Sequence, residues 1–192
     1  MEIKRMTDFQ QIEEIYVNRM QQDFPANEIK PLISIEKALE NGIYECYSLY
    51  SGRINLGYAF FVRVGSCCLL DYFAVTQSYR NKGYGSVFLN RLSRFLTDME
   101  CVICEVDDPE KKEDIESKKL CERRRQFYLR NAFRETNVTS TVFGADFQIL
   151  VTDVNKTYSD NEIAECYAML YQKILPEFFF KTCFTVYVCN PE

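Results

Sequence analysis

One twelve-residue passage has the residue types and spacing to bind an anion: Val75-Thr76-Gln77-Ser78-Tyr79-Arg80-Asn81-Lys82-Gly83-Tyr84-Gly85-Ser86. An apolar run leads into a basic turn with two glycines, and an amphipathic helical pattern follows from Ser86. The first N–H groups of a helix lack partners within it and carry partial positive charge, so together they can cradle a phosphate. Glycine lets backbone approach that group with no Cβ in the way. Arg80 and Lys82 add full positive charges. Two familiar phosphate loops are excluded. No G-x-x-x-x-G-K-[ST] occurs, and G-x-G-x-x-G fails because Phe88 occupies its last position.

The remaining chemistry is bounded by an absence. The 192 residues include no His, which removes Ser-His-Asp and Cys-His nucleophilic designs. Proton transfer falls to Asp, Glu, Tyr, Cys, Lys, the chain's own terminus or water. Two carboxylates stand inside apolar, strand-like runs, where a carboxylate needs a reason. Asp71 shares a face with Phe73 and Val75 by two-residue alternation, and Glu105 lies in the run 101–106. Both are candidate bases; pairing with an arginine explains them equally well.

The nine cysteines hold one C-x-x-C, at Cys101 and Cys104, with no second one and no His to complete a zinc site. They read as reduced core residues of a cytoplasmic protein, and no metal is expected. No signal-peptide stretch opens the chain, and no run of about eighteen apolar residues offers a membrane span. A net charge of −5 argues against non-specific binding to nucleic acid or anionic membrane.

These residues need a scaffold, and the periodicity supplies one. Thr7 and Gln10 form a capping-box pair ahead of Phe9, Ile12, Ile15, Tyr16 and Met20 at helical spacing. A short helix is expected over 35–40, then strands over 43–50 and 54–64 joined at Ser51-Gly52. The run 67–75 is almost wholly apolar, as a central strand covered on both faces should be. Phe88, Leu92, Phe95, Leu96 and Met99 mark the stripe of the helix after the loop. A strand over 101–106 follows, then a charged stretch over 110–125 read as a solvated loop and helix start. That helix runs on through Tyr128 to about Asn131. Strands over 138–143 and 147–151 come next. A helix opened by Ser159 and Glu162 stops at Pro176, and 178–188 reads as a last strand. The Phe178-Phe179-Phe180 cluster is core or a contact between two copies, which leaves a homodimer open. This order describes one α/β domain, 1–192, with a core over about 1–150 and a C-terminal helix and strand over about 159–188.

The loop in this setting resembles motif A of the GNAT N-acetyltransferases, V-x-x-x-x-[QR]-x-x-G-x-[GA], with Val75, Arg80, Gly83 and Gly85 at its defining positions. A second family pattern, N-x-x-A-x-x-[LF]-Y-x-x-x-G-F, is matched at Phe127, Tyr128 and Phe133. It is broken at Cys121, Arg124 and Ala132, which replace Asn, Ala and Gly. The resemblance implies a mixed, mostly antiparallel sheet flanked by helices, with acetyl-coenzyme A as cosubstrate. It also implies an amine acceptor, on a small molecule or a peptide, that attacks the thioester directly. The pantetheine arm would follow backbone groups at Phe73, Ala74 and Val75, where two central strands splay apart. The pyrophosphate would meet the N–H groups of Arg80, Asn81, Lys82, Gly83, Tyr84, Gly85 and Ser86. Tyr128 would protonate the departing thiolate, with Asp71 or Glu105 as base. The broken positions also admit a non-catalytic acyl-coenzyme A sensor.

Overall fold

The structure is a computed structural model and describes residues 1–189. It contains two compact units, the first made of Met1–Arg63 and Leu70–Leu96 and the second of Val64–Leu69 and the chain from Thr97 on.

The first unit contains β1 (Glu2–Met6), α1 (Phe9–Ile15), α2 (Gln21–Asp23), α3 (Leu32–Glu40), β2 (Tyr44–Ser51) and β3 (Ile54–Val64). It is completed by β4 (Cys67–Val75), whose first residues belong to the second unit, and by α4 (Tyr84–Leu92). The strand order is β1-β2-β3-β4, and the β1–β2 and β2–β3 pairs are antiparallel. Residues 56–62 of β3 are all buried, so the strand is covered on both faces. Tyr44, Tyr58 and Tyr72 surround Phe60 with ring centroids 5.4 to 6.2 Å away. This is the phenyl-rich core that the composition predicts. Gly57 has a specific reason to be glycine: a Cβ there would lie 2.6 Å from the carbonyl oxygen of Ala74. Its absence lets β3 lie against the end of β4, where the anion loop begins.

The second unit contains β5 (Cys101–Asp107), α5 (Ile115–Leu129), β6 (Arg134–Val142), β7 (Ala145–Asp153), α6 (Asp160–Ile174), α7 (Glu177–Cys183) and β8 (Phe184–Val188). Its order is β5-β7-β6-β8, antiparallel at every step. The capping box at Ser159 and Glu162 forms as the sequence predicts, and Ile163, Tyr167, Leu170, Tyr171 and Ile174 are buried. Helices and, among the described residues, eight strands together give the expected α/β class.

Several local expectations are corrected. The cap of α1 is Asp8, whose Oδ1 accepts from the Gln10 N–H at 3.0 Å; Thr7 is one residue too early. The helix passes into a π-helical turn over Tyr16–Met20, which apolar spacing does not reveal. β1 was missed because the charges of Glu2, Lys4 and Arg5 mask so short a strand. The run 178–188 is not one strand. Glu177 and Lys181 pair at 2.5 Å across one helical turn, and α7 precedes β8. Aromatic β-propensity concealed that spacing. Cys67 and Cys166 form a disulfide, against the reading of nine reduced thiols; a pairing across 99 residues leaves no local signal.

Ala132 adopts φ +69°, the left-handed region that costs a residue with a Cβ about 1 kcal/mol or more. The family's glycine at this position would relieve it. Ala132→Gly should therefore stabilise the protein by up to about 1 kcal/mol in urea unfolding, after the extra freedom that glycine gives the unfolded chain.

Candidate active site

The anion loop lies wholly in the first unit. β4 ends at Val75, a 3-10 turn spans Gln77–Tyr79, and α4 starts at Tyr84. Gly83 caps α4 at φ +81°, and Asn81 has φ +61°. A Cβ at Gly83 would meet nothing within 4 Å, so conformation and not space calls for glycine there. The N-terminus of α4 has no side-chain cap and no acidic residue in its first turn, whereas Asp8, Asp114 and Ser159 cap α1, α5 and α6. Its first N–H groups thus lack helical and side-chain partners, and no carboxylate there opposes an anion.

The two loop cations hold the loop's own backbone. Arg80 Nε donates to the Val75 carbonyl at 2.9 Å, and its guanidinium pairs with Asp23. Lys82 Nζ donates to the Ser78 carbonyl at 3.0 Å. Beside them a cleft of about 450 Å³ is lined by Arg19, Gln22, Asp23, Thr76, Gln77 and Ser78. Phe73 packs on Phe88 of α4 with ring centroids 5.4 Å apart, and Ala74 is buried.

Asp71, the first candidate base, is sealed in. Its side chain has no exposure; Oδ1 accepts from Lys30 Nζ at 2.5 Å and Oδ2 from the Tyr44 hydroxyl. Burial, and then Asp71 itself, push the Tyr44 hydroxyl far up. The Lys30 backbone N–H donates to the Tyr72 hydroxyl at 2.8 Å, which donates to the Glu28 carbonyl at 2.9 Å. Asp71 thus pins the irregular passage before α3 onto β4, and its cation is Lys30, not the arginine expected as the alternative.

The second unit holds the other candidates. Glu105 is half-buried on β5, and its Oε1 accepts from the hydroxyls of Tyr167 and Tyr171, the latter at 2.6 Å. Tyr167 also contacts Ser140 Oγ at 3.0 Å. Tyr128 is half-buried near the end of α5, edge-on to Phe127 and Phe133. Burial raises its hydroxyl pKa, Cys104 and Glu105 add to the rise, and Arg124 opposes it. Arg124, at the family's Ala position, donates to Asp107 at 2.9 Å, and Lys112 joins it at 2.6 Å. That ion cluster ties the charged stretch to the end of β5. Cys101 and Cys104 are buried thiols, Cys101 raised to about 11 mainly by burial. Among the described residues no three His, Cys, Asp or Glu side chains group to hold a metal, and no helix is long and apolar enough to cross a membrane.

The acetyltransferase (GNAT) family model matches residues 9–115, more than half the chain and including the whole loop. The chain belongs to the GNAT acetyltransferase family. Solved structures share this fold. A GNAT-family protein from Bacteroides thetaiotaomicron is 19% identical with a TM-score of 0.71, over 90% of this chain and 97% of that one. An aminoglycoside 6'-N-acetyltransferase complexed with coenzyme A is 12% identical with a TM-score of 0.60, over 83% and 100%. A GNAT acetyltransferase from Elizabethkingia anophelis with acetyl-CoA bound is 15% identical with a TM-score of 0.56, over 79% and 97%. No curated protein matches by sequence. Of the residues that sequence reading picked out, Arg80 and Gly83 precede the uncapped start of α4 and Gly85 lies in its first turn. Sequence reading missed Arg19, Asp23, Tyr167 and Tyr171, which reach the candidate residues from 57 to 66 positions away.

Proposed function

We propose that this GNAT protein transfers the acetyl group of acetyl-coenzyme A to an amine by direct attack. The observation that carries the reading is the uncapped, acid-free N-terminus of α4 behind a glycine in the left-handed region. In this reading the backbone N–H groups from Arg80 to Ser86 bind the diphosphate, and the backbone of Phe73, Ala74 and Val75 guides the pantetheine. Glu105 takes the proton that an amine carries at neutral pH. The freed nitrogen adds to the thioester carbonyl, the C–S bond breaks, Tyr128 donates its proton to the departing thiolate, and the second proton, shed by the acylated nitrogen, restores the phenol. We assign the base role to Glu105 and not Asp71, because Asp71 has no exposed side-chain surface and is engaged by Lys30 and Tyr44.

The sensor reading draws on the substituted second motif. Ala132 nevertheless holds the left-handed backbone that a glycine adopts readily, so the turn after Tyr128 forms despite the substitution. That favours the enzyme. The test is release of free coenzyme A during incubation with a panel of small amines and peptide N-termini. Turnover with one acceptor supports transfer, and tight binding with no turnover on any supports the sensor. With an active acceptor, Tyr128→Phe should lower kcat by about 10²-fold with little change in acetyl-coenzyme A affinity. Unchanged kcat would remove Tyr128 as the acid.

A further inference from the structure

The proposed chemistry treats Arg80 as a loop cation, yet its guanidinium is engaged inside the protein. Nε caps the Val75 carbonyl at 2.9 Å, and a terminal nitrogen pairs with Asp23 at the end of α2. Asp23 is well placed to hold it. Its side chain is 8% exposed, and its other oxygen accepts from the Tyr58 hydroxyl at 2.9 Å. The Tyr58 ring is fully buried, so this carboxylate is fixed from below by the core.

A second cation holds the other end of the same segment. Arg19 lies 4.7 Å from the centre of the Tyr58 ring and donates to Asn55 Oδ1 at 3.0 Å and Thr76 Oγ1 at 2.9 Å. Thr76 Oγ1 donates in turn to the Asn55 carbonyl at 3.1 Å. Arg19 stands in the π-helical turn over Tyr16–Met20, a departure from α geometry that often accompanies functional sites. Residues 76 and 80 bracket the turn that leads into α4, and each is tied to the helical segment before residue 24, by Arg19 and by Asp23, which both contact Tyr58. Guanidinium forks suit this work because they hold two acceptors in a fixed relation.

We infer that Asp23 is a positioning residue for the coenzyme loop, holding Arg80 on the Val75 carbonyl so that Arg80 shapes the loop and backbone N–H groups meet the diphosphate. This rests on the reading of the loop as the coenzyme site.

Acetyl-coenzyme A is titrated calorimetrically into the wild type, Asp23→Asn, Arg80→Met and the double variant at low and high salt, alongside steady-state kinetics and melting temperatures. Each single variant should weaken binding and raise KM for acetyl-coenzyme A about tenfold, the loss expected for one partly exposed charge-assisted hydrogen bond. The double variant should bind no more weakly than either single one, and kcat at saturation should stay within about twofold. Arg80→Met should keep the wild-type salt dependence, since its charge does not face the ligand. Asp23→Glu should recover part of the affinity.

Four results would overturn the inference: additive losses in the double variant, a flattened salt dependence in Arg80→Met, tighter binding by Asp23→Asn, or a lower melting temperature with KM unchanged. Should Asp23→Asn fail to fold, Tyr58→Phe decides, because it removes one hydrogen bond to Asp23 and keeps the ring. It should raise KM several-fold, and an unchanged KM would count against the inference. No binding by the wild type would instead sink the coenzyme reading itself.

Discussion

Glu105→Gln should lower kcat/KM by about 10²- to 10⁴-fold near neutral pH, the range that a positioned general base supplies. A base works only when unprotonated, so activity that depends on Glu105 falls as pH falls through its titration. The amide cannot titrate, so the part of the acidic limb that belongs to Glu105 should disappear with the substitution, leaving the rise set by the acceptor amine. The deficit should shrink at high pH, where the acceptor amine loses its proton unaided. The hydroxyls of Tyr167 and Tyr171 fix the carboxylate on β5, and the Gln carbonyl can accept from them, so folding should survive. A pH–rate profile of wild-type shape in Glu105→Gln would end its candidacy. Asp71→Asn is the control: its acidic limb should match the wild type.

The largest stability effect is expected at the pair that seals Asp71. Lys30→Ala should cost about 3–5 kcal/mol, because it leaves a carboxylate buried without its cation. For a chain of this size that corresponds to a fall in melting temperature of roughly 10 °C or more. The Lys30 side chain is 9% exposed and that of Asp71 not at all, so solvent cannot take the missing partner's place. Removing both charges together, as Lys30→Met with Asp71→Asn, should recover part of the loss. Circular dichroism melting of the two variants checks this. A drop of under 1 kcal/mol for Lys30→Ala would mean that water reaches Asp71.

What the sequence made legible depended on range. β3 and β4 were readable as apolar runs with turn residues between them, and α6 as a capping box ahead of a helical stripe. The anion loop was readable because its chemistry is local: glycines, cations and a helix start within twelve residues. The partners that decide the roles of the acids were not. Asp71 meets Lys30 across 41 positions, and Glu105 meets Tyr167 across 62. Nothing in the local composition marks either contact. Asp23 reads as one more surface acid between Gln22 and Phe24, and only the fold brings Tyr58 and Arg80 to it. The misread strand at 178–188 shows the converse error: three adjacent Phe suggested extended chain, while a single Glu177–Lys181 pair carried the helical spacing.

The most direct test of the account is calorimetric titration of acetyl-coenzyme A into the intact wild type and into Gly83→Asp. The substitution sets a carboxylate at the start of α4, in a backbone conformation that Asp tolerates and with open space for its Cβ. The account predicts saturable binding by the wild type and none measurable by Gly83→Asp, with melting temperatures within a few degrees of each other. An absence of heat with the wild type, or equal affinity in both proteins, would contradict it.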